Sequence, residues 1–289
     1  MPTVDKTTHI GIQRSNCNTQ LVTAEENIKK ARRALDSLIA SGLHGENGID
    51  PSSSISTFRT YVMPILLYGL DVVMTNSKSL KMLQAFYKKM IKQILSLPIS
   101  TADPAIYLLS GLLPINAEID IKIITLLGNI LCSDKSTVEW KIANRQLKIK
   151  SCKSNNPVEF LDTITTKETW EKSMVNKIKI YWHRKILDEK EHFNSLQYLS
   201  PIDSLGHCHP LASISASDPK IVQKLPPRVK ISTGGYILQS QRAKYNYNAV
   251  DPTCQLCKNG EETLSHIPAY MCNFRCCKIT HIRKNSDNG

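Results

Sequence analysis

Apolar residues recur at helical spacing along most of this chain. After a capping pair of Thr23 and Glu26, the residues Ile28, Ala31, Ala34, Leu35, Leu38 and Ile39 fall on one side of a helical projection. Lys29, Lys30, Arg32 and Arg33 fall on the other. Gly42 then supplies a left-handed stop. Asp50-Pro51 opens a second helix through Ile55, Phe58, Val62, Ile65 and Leu66, with a kink expected near Pro64. A third helix over 79–97 carries a stripe of Leu80, Leu83, Tyr87, Met90, Ile91 and Ile94 and ends before Pro98. Its opposite face holds Lys81, Lys88, Lys89 and Lys92.

The pattern continues with a short helix from Asp103-Pro104 to Gly111 and a more buried one over 115–131. Residues 133–156 turn polar and basic, with a helix over 137–147; this is the expected hinge. A long helix over 167–189 places Trp170, Met174, Ile178, Tyr181, Trp182 and Ile186 on one side, and 193–217 reads as loop. Asp218-Pro219 begins a further helix, expected to break at Pro226-Pro227. Trp140, Trp170 and Trp182 are expected in the core. TTHIGIQ at 7–13 alternates enough to predict one short strand, with no partner nearby.

The predicted class is therefore mainly α, with a helical bundle, a second helical segment and a small C-terminal knuckle. The expected divisions are a residual strand at 1–22, a helical domain at 23–132, a helical connection at 133–217, a basic helical segment at 218–253 and the knuckle at 254–289. A 41% hydrophobic content in 289 residues suffices for one large core or two small ones.

Charge narrows the partners. A net charge of +12 favours a polyanion, and nucleic acid is the expected one, RNA or DNA. The first and third helices offer Lys29, Lys30, Arg32, Arg33, Lys81, Lys88, Lys89 and Lys92 to a phosphate backbone. A solvated helix face accounts for the same cations without a ligand. Near the C-terminus, Arg242 and Lys244 interleave with Tyr245, Tyr247 and Tyr270, on which bases can stack. No apolar leader precedes residue 15 and the most apolar stretch, 61–74, is too short to span a bilayer. The expectation is an intracellular protein, nuclear or cytoplasmic, with no membrane partner.

The cysteines carry the sharpest chemistry. Five of the nine fall between Cys254 and Cys277, in the series Cys254-x2-Cys257-x8-His266-x5-Cys272. Two thiolates two residues apart grip one side of an ion, and a later His and Cys close a tetrahedron, the geometry zinc prefers. Cys276, Cys277 and His281 are alternative fourth ligands. His207-Cys208-His209 is a second, weaker cluster. No phosphate-cradling loop, nucleophile elbow or clustered carboxylate pair is present in the sequence, so no catalytic residue is assigned.

Several stretches, in order, resemble the downstream part of a non-LTR (LINE-type) retrotransposon reverse transcriptase. They are HIGIQRS (9–15), ARRALDSLIASGLHG (31–45), YVMPILLYGLDV (61–72), QILSLP (93–98), AIYLLSGLLPINAEI (105–119), TGGYILQSQRAKYN (233–246) and the knuckle CQLCKNGEETLSH (254–266). The resemblance implies a thumb and connection region followed by a zinc knuckle, with the metal ligands at Cys254, Cys257, His266 and Cys272. It implies that a palm bearing the paired catalytic aspartates belongs upstream, and no YxDD motif occurs here. The expectation is a non-catalytic nucleic-acid-binding fragment, with an upstream palm-containing polymerase segment as a possible partner. The rival expectation is a helical protein whose zinc only stabilises its tail.

Overall fold

The computed structural model describes residues 6–16, 18–43, 49–73, 75–151, 167–197, 199, 206–212, 225–245, 250–255, 257–263 and 265–266. It is mainly α-helical. Among the described residues the strands are β1 (Lys6–His9) and β2 (Ile12–Ser15), a single antiparallel hairpin. The lone strand expected at 7–13 instead folds on itself. Ile10 and Gly11 both adopt positive φ, 49° and 75°, which makes the two-residue turn that matches strand twist. His9 faces Ile12 and Lys6 faces Ser15 across it. The hairpin is anchored from outside: the Tyr68 hydroxyl donates to the Ile10 carbonyl at 2.8 Å, and Ile12 lies over Gly69.

Helix α1 (Thr19–Ala40) starts one turn earlier than the Thr23 cap predicts. Asn18 is the cap, its side chain accepting from the Leu21 amide. Thr23 is instead buried inside the helix and its hydroxyl donates to the Gln13 carbonyl, tying α1 to β2. Asn and Thr cap with the same chemistry, so the pattern alone does not choose between them. The helix ends as expected. The Gly42 and Leu43 amides turn back to the Ile39 and Leu38 carbonyls, with Gly42 at φ +105°.

Asp50 caps α2 (Pro51–Thr57) by accepting from the Ser53 amide. Pro64 has no N–H for the carbonyl four residues before it. The chain answers not only at the proline but ahead of it, widening into a π turn over Phe58–Val62 before α3 (Met63–Leu66). Helix α4 (Ser77–Ile94) is capped reciprocally by Asn76 and Ser79. Its predicted stripe is buried except for the half-buried Leu80, and Phe86 joins it. The Tyr87 ring lies 6.0 Å from that of Phe58, and its hydroxyl donates to the Leu113 carbonyl at 2.9 Å. Burial pushes the Tyr87 phenol far above its ordinary range, so it stays a donor.

Helix α5 (Asp103–Ser110) is buried along almost its whole length and stops at Gly111, φ +64°. Its last carbonyls are satisfied from nearly a hundred residues away. The His209 amide donates to Leu109, the Cys208 thiol to Ser110 and the Gly206 amide to Gly111. A Cβ at Gly111 would sit 2.0 Å from the His207 carbonyl, so only glycine admits this crossing. The core does not stop at residue 132: Ile186, Leu196, Leu199 and Val229 belong to it.

Helix α6 (Ile115–Leu131) is buried only over its first half; most of its later apolar residues are half-buried. It packs along α8 (Lys167–Glu191), where a Cβ at Gly128 would meet the Trp170 ring at 2.5 Å. In sequence between them lies α7 (Val138–Ser151), which packs on α6 and on which Trp140 is half-buried rather than in the core. Trp170 is buried and Trp182 packs against the core's edge, but Tyr181 points to solvent, 61% exposed. The side of α8 read as one apolar face is thus split, because α8 covers the bundle only in part. Pro226 and Pro227 lie in the first turn of α9 (Leu225–Ser232), where a missing N–H costs nothing. Helix α10 (Gln239–Tyr245) leads to the knuckle. The Asp218-Pro219 helix start lies outside the described residues.

Candidate metal centre and basic surfaces

The knuckle loop is built by short-range turns. Asp251 accepts from both the amide and hydroxyl of Thr253, which holds its carboxyl below the usual range. Thr253 and Glu261 form an antiparallel bridge, and the Cys254 amide donates to the Gly260 carbonyl at 2.8 Å. Inside this loop the chain turns from Cys254 to Lys258, whose amide donates to the Cys254 carbonyl and whose φ is +59°. That turn brings both cysteines to one side. A second turn, the His266 amide donating to Thr263, returns the imidazole to them.

The outcome is a cluster of three donors. The ligand atoms of Cys254, Cys257 and His266 all lie within 4.8 Å of one another. Cys257 Sγ is 3.0 Å from His266 Nε2, and the Asn259 amide points at the same sulfur at 3.5 Å. Ligands on one tetrahedral ion of this size lie about 3.5 Å apart, so the set fits a metal ion. Cys254 is 1% exposed and the other two are half-buried, which keeps competing water to the outer side. Among the described residues no other group of three such donors converges. The His207-Cys208-His209 cluster does not: the Cys208 thiol donates to a helix carbonyl, and His209 Nδ1 accepts from the Leu211 amide. Cys272, Cys276, Cys277 and His281 lie outside the described residues, as do Tyr247 and Tyr270.

The knuckle is joined to α10 by the Ser240 hydroxyl, which donates to the Glu262 carbonyl at 2.7 Å. Leu238, just before α10, and Ala243 on it are buried, while Arg242, Lys244 and Tyr245 face out. Tyr245 is 80% exposed.

The cations of the bundle divide into two groups. Lys30, Arg33, Lys81 and Lys89 are exposed. Lys29 pairs with Glu26 at 2.9 Å on the surface, and the Arg32 guanidinium lies 5.7 Å over the Phe86 ring, bridging α1 and α4. Lys88 and Lys92 are half-buried and engaged by the chain itself: Lys88 pairs with Asp103 at 2.6 Å and Lys92 donates to the Ile99 carbonyl at 2.6 Å. Both hold the start of α5 and the loop before it against α4. Burial lowers the Lys92 ammonium from its ordinary value, against the pull of Asp103.

A polar cluster that periodicity did not reveal lines a cavity of about 420 Å³ between the π turn, α6 and α8. It contains Arg59, Glu118, Lys122 and Lys179. They come from three separated stretches of chain; Glu118 and Lys122 share one turn of α6, and no local spacing ties them to Arg59 or Lys179. Compared with known protein families, with curated protein sequences and with solved structures, the chain matches none. Among the described residues no helix is long and apolar enough to cross a membrane.

Proposed function

We propose that this chain binds RNA or DNA without catalysis, through a zinc knuckle with its adjoining basic helix α10 and through a second surface on α1 and α4. The observation that carries the reading is one lobe's composition. The loop that carries a Cys-Cys-His donor set accepts, at the Glu262 carbonyl, a hydrogen bond from a short helix that turns Arg242, Lys244 and an almost fully exposed tyrosine to solvent. Exposed aromatic rings beside cations suit single strands, because every base has a face to stack and every phosphate a charge. The ordered resemblance to the thumb and knuckle of LINE-type reverse transcriptases supports the same reading. It also makes an upstream palm segment the natural partner. Zinc is the metal proposed, since two thiolates and an imidazole suit its softness and tetrahedral habit; Cys272 is the proposed fourth ligand.

Each protein–phosphate contact adds about 0.9 to the slope of log affinity against log salt. Binding of labelled single-stranded RNA, duplex DNA and hybrid is to be measured at two salt concentrations. Tyr245→Ala is expected to weaken single-strand binding by about 1–3 kcal/mol and leave the slope alone. Failure of the wild-type chain to bind any of the three at low salt sinks the proposal. The internal engagement of Lys88 and Lys92 favours the rival, purely structural role for those two residues. That reading extends to the whole chain only if all probes fail.

A further inference from the structure

The cavity between the π turn, α6 and α8 has no part in the proposed knuckle or in the basic surface of α1 and α4. Its walls are of two kinds. Pro64, Leu113 and Ile121 give it an apolar side. Arg59, Lys122 and Lys179 give it three cations against the one carboxylate of Glu118. Lys122 spends one N–H on the Leu67 carbonyl at 3.3 Å, which fixes the ammonium at the rim and leaves its other protons to a ligand. Arg59 sits on the π turn that Pro64 forces. Such widened turns interrupt helices frequently at functional sites. The volume lies within the range of small-molecule sites.

These features define an occupant. With Glu118 ionised, the cavity carries about two surplus positive charges, which a dianion neutralises. The apolar wall needs a flat, weakly polar body, and the lone carboxylate needs a donor to accept from. We propose that this cavity binds a phosphomonoester attached to a flat ring bearing an N–H donor, the chemistry of a nucleoside monophosphate, free or at the phosphorylated end of a strand. Arg59, Lys122 and Lys179 take the phosphate, Glu118 takes the ring's N–H, and Pro64 and Ile121 cover its face. The proposal does not rest on the nucleic-acid reading above.

Calorimetric titration of the full chain tests it, with adenosine monophosphate as the probe and adenosine and inorganic phosphate as its halves. The expected result is saturable binding of the monophosphate, with each half at least about tenfold weaker. Arg59→Gln and Lys179→Gln should each weaken binding about tenfold or more, because a charge-assisted contact is lost. Ile121→Trp, which fills the cavity, should remove it. Circular dichroism establishes that the variants keep their helices; Lys179→Gln, at the rim on α8, is the variant least able to disturb the core. An oligonucleotide with and without a 5′-phosphate separates the sources. A phosphate-dependent gain lost in Arg59→Gln assigns the site to a strand end; equal binding of both oligonucleotides assigns it to the free nucleotide. Lys81→Gln with Lys89→Gln should change oligonucleotide affinity and leave monophosphate binding intact, so the two proposals fail separately. No heat up to about 5 mM monophosphate, or binding that survives all three cavity variants, overturns the inference.

Discussion

Around Tyr87 the bundle of α1 to α6 buries Phe58, Leu66, Leu83, Ile91, Ile106 and Leu108 almost completely. In the lobe of α9, α10 and the knuckle, the buried apolar side chains among the described residues are Val229, Leu238, Ala243 and Cys254. Val229 belongs to the bundle's core, which leaves the rest of the lobe with very little. The first region has enough apolar burial to hold itself together. The second has turns, a two-residue bridge and three metal donors in place of a core. One chain therefore has two answers to the same difficulty: continuous packing where the chain is long, and a donor set that can hold an ion where it is short.

The contrast is broken most forcefully at the metal. Structural zinc contributes roughly 10 kcal/mol or more of apparent binding energy in small sites. Chelation or Cys257→Ser should leave residues 250–266 open to protease, while far-UV circular dichroism and a cooperative melt persist in the bundle. Collapse of the bundle as well, or stoichiometric zinc by elemental analysis in Cys257→Ser, contradicts the division drawn here.

The reciprocal experiment is Leu108→Ala. A fully buried leucine truncated without collapse of its surroundings costs about 2–5 kcal/mol. Urea denaturation should show that loss, with zinc content unchanged. Asn27→Ala should cost less, about 1–3 kcal/mol. Its amide donates to the Leu66 and Tyr68 carbonyls at 3.1 and 2.8 Å, and the variant orphans both.

Glu118 gives a smaller effect with a definite sign. Burial raises its carboxyl above the ordinary 4.5, and Arg59 and Lys179 only partly oppose that. The unfolded chain releases this proton first as pH rises, so the native state loses stability from about pH 4.5 up to the raised value. Glu118→Gln should be more stable than wild type at neutral pH and equal to it in acid. A constant difference across pH, measured by urea titrations, would show that the carboxylate is not the cause.

The smallest effects separate the two kinds of lysine on α4. Lys88→Gln breaks a partly exposed pair with Asp103 and should cost less than about 1 kcal/mol, with no change in salt dependence of nucleic-acid binding. Lys89→Gln should leave stability alone and flatten the salt slope by about 0.9. Slopes equal to wild type in both variants would mean that neither lysine meets a phosphate.

Much of the bundle was legible because its signals are local. Asp50-Pro51, Gly42 and Gly111 each act within a few residues, and each stands where the sequence put it. The knuckle donors are legible for the same reason, since Cys254, Cys257 and His266 lie on one loop. What escaped depends on distance or on a local cost. The hairpin turn places Ile10, a β-branched residue, at positive φ, against its preference; contacts from Tyr68 and Ile12 on Gly69 accompany that choice. Lys88 and Lys92 share a helical face with Lys81 and Lys89 on paper, but Asp103 and the Ile99 carbonyl claim them. The cavity of Arg59, Glu118, Lys122 and Lys179 exists only once three elements meet.

The three carbonyls at the end of α5 set a clock for the molecule. Leu109, Ser110 and Gly111 leave the ribosome long before Gly206, Cys208 and His209, the residues that satisfy them. Until those arrive, a nascent bundle carries unpaired acceptors at the end of its most buried helix, each costing about 1–3 kcal/mol. The bundle therefore cannot reach its final stability during synthesis of its own helices. Any shortened version of the chain that stops before residue 206 inherits that unfinished state, however complete its six helices look.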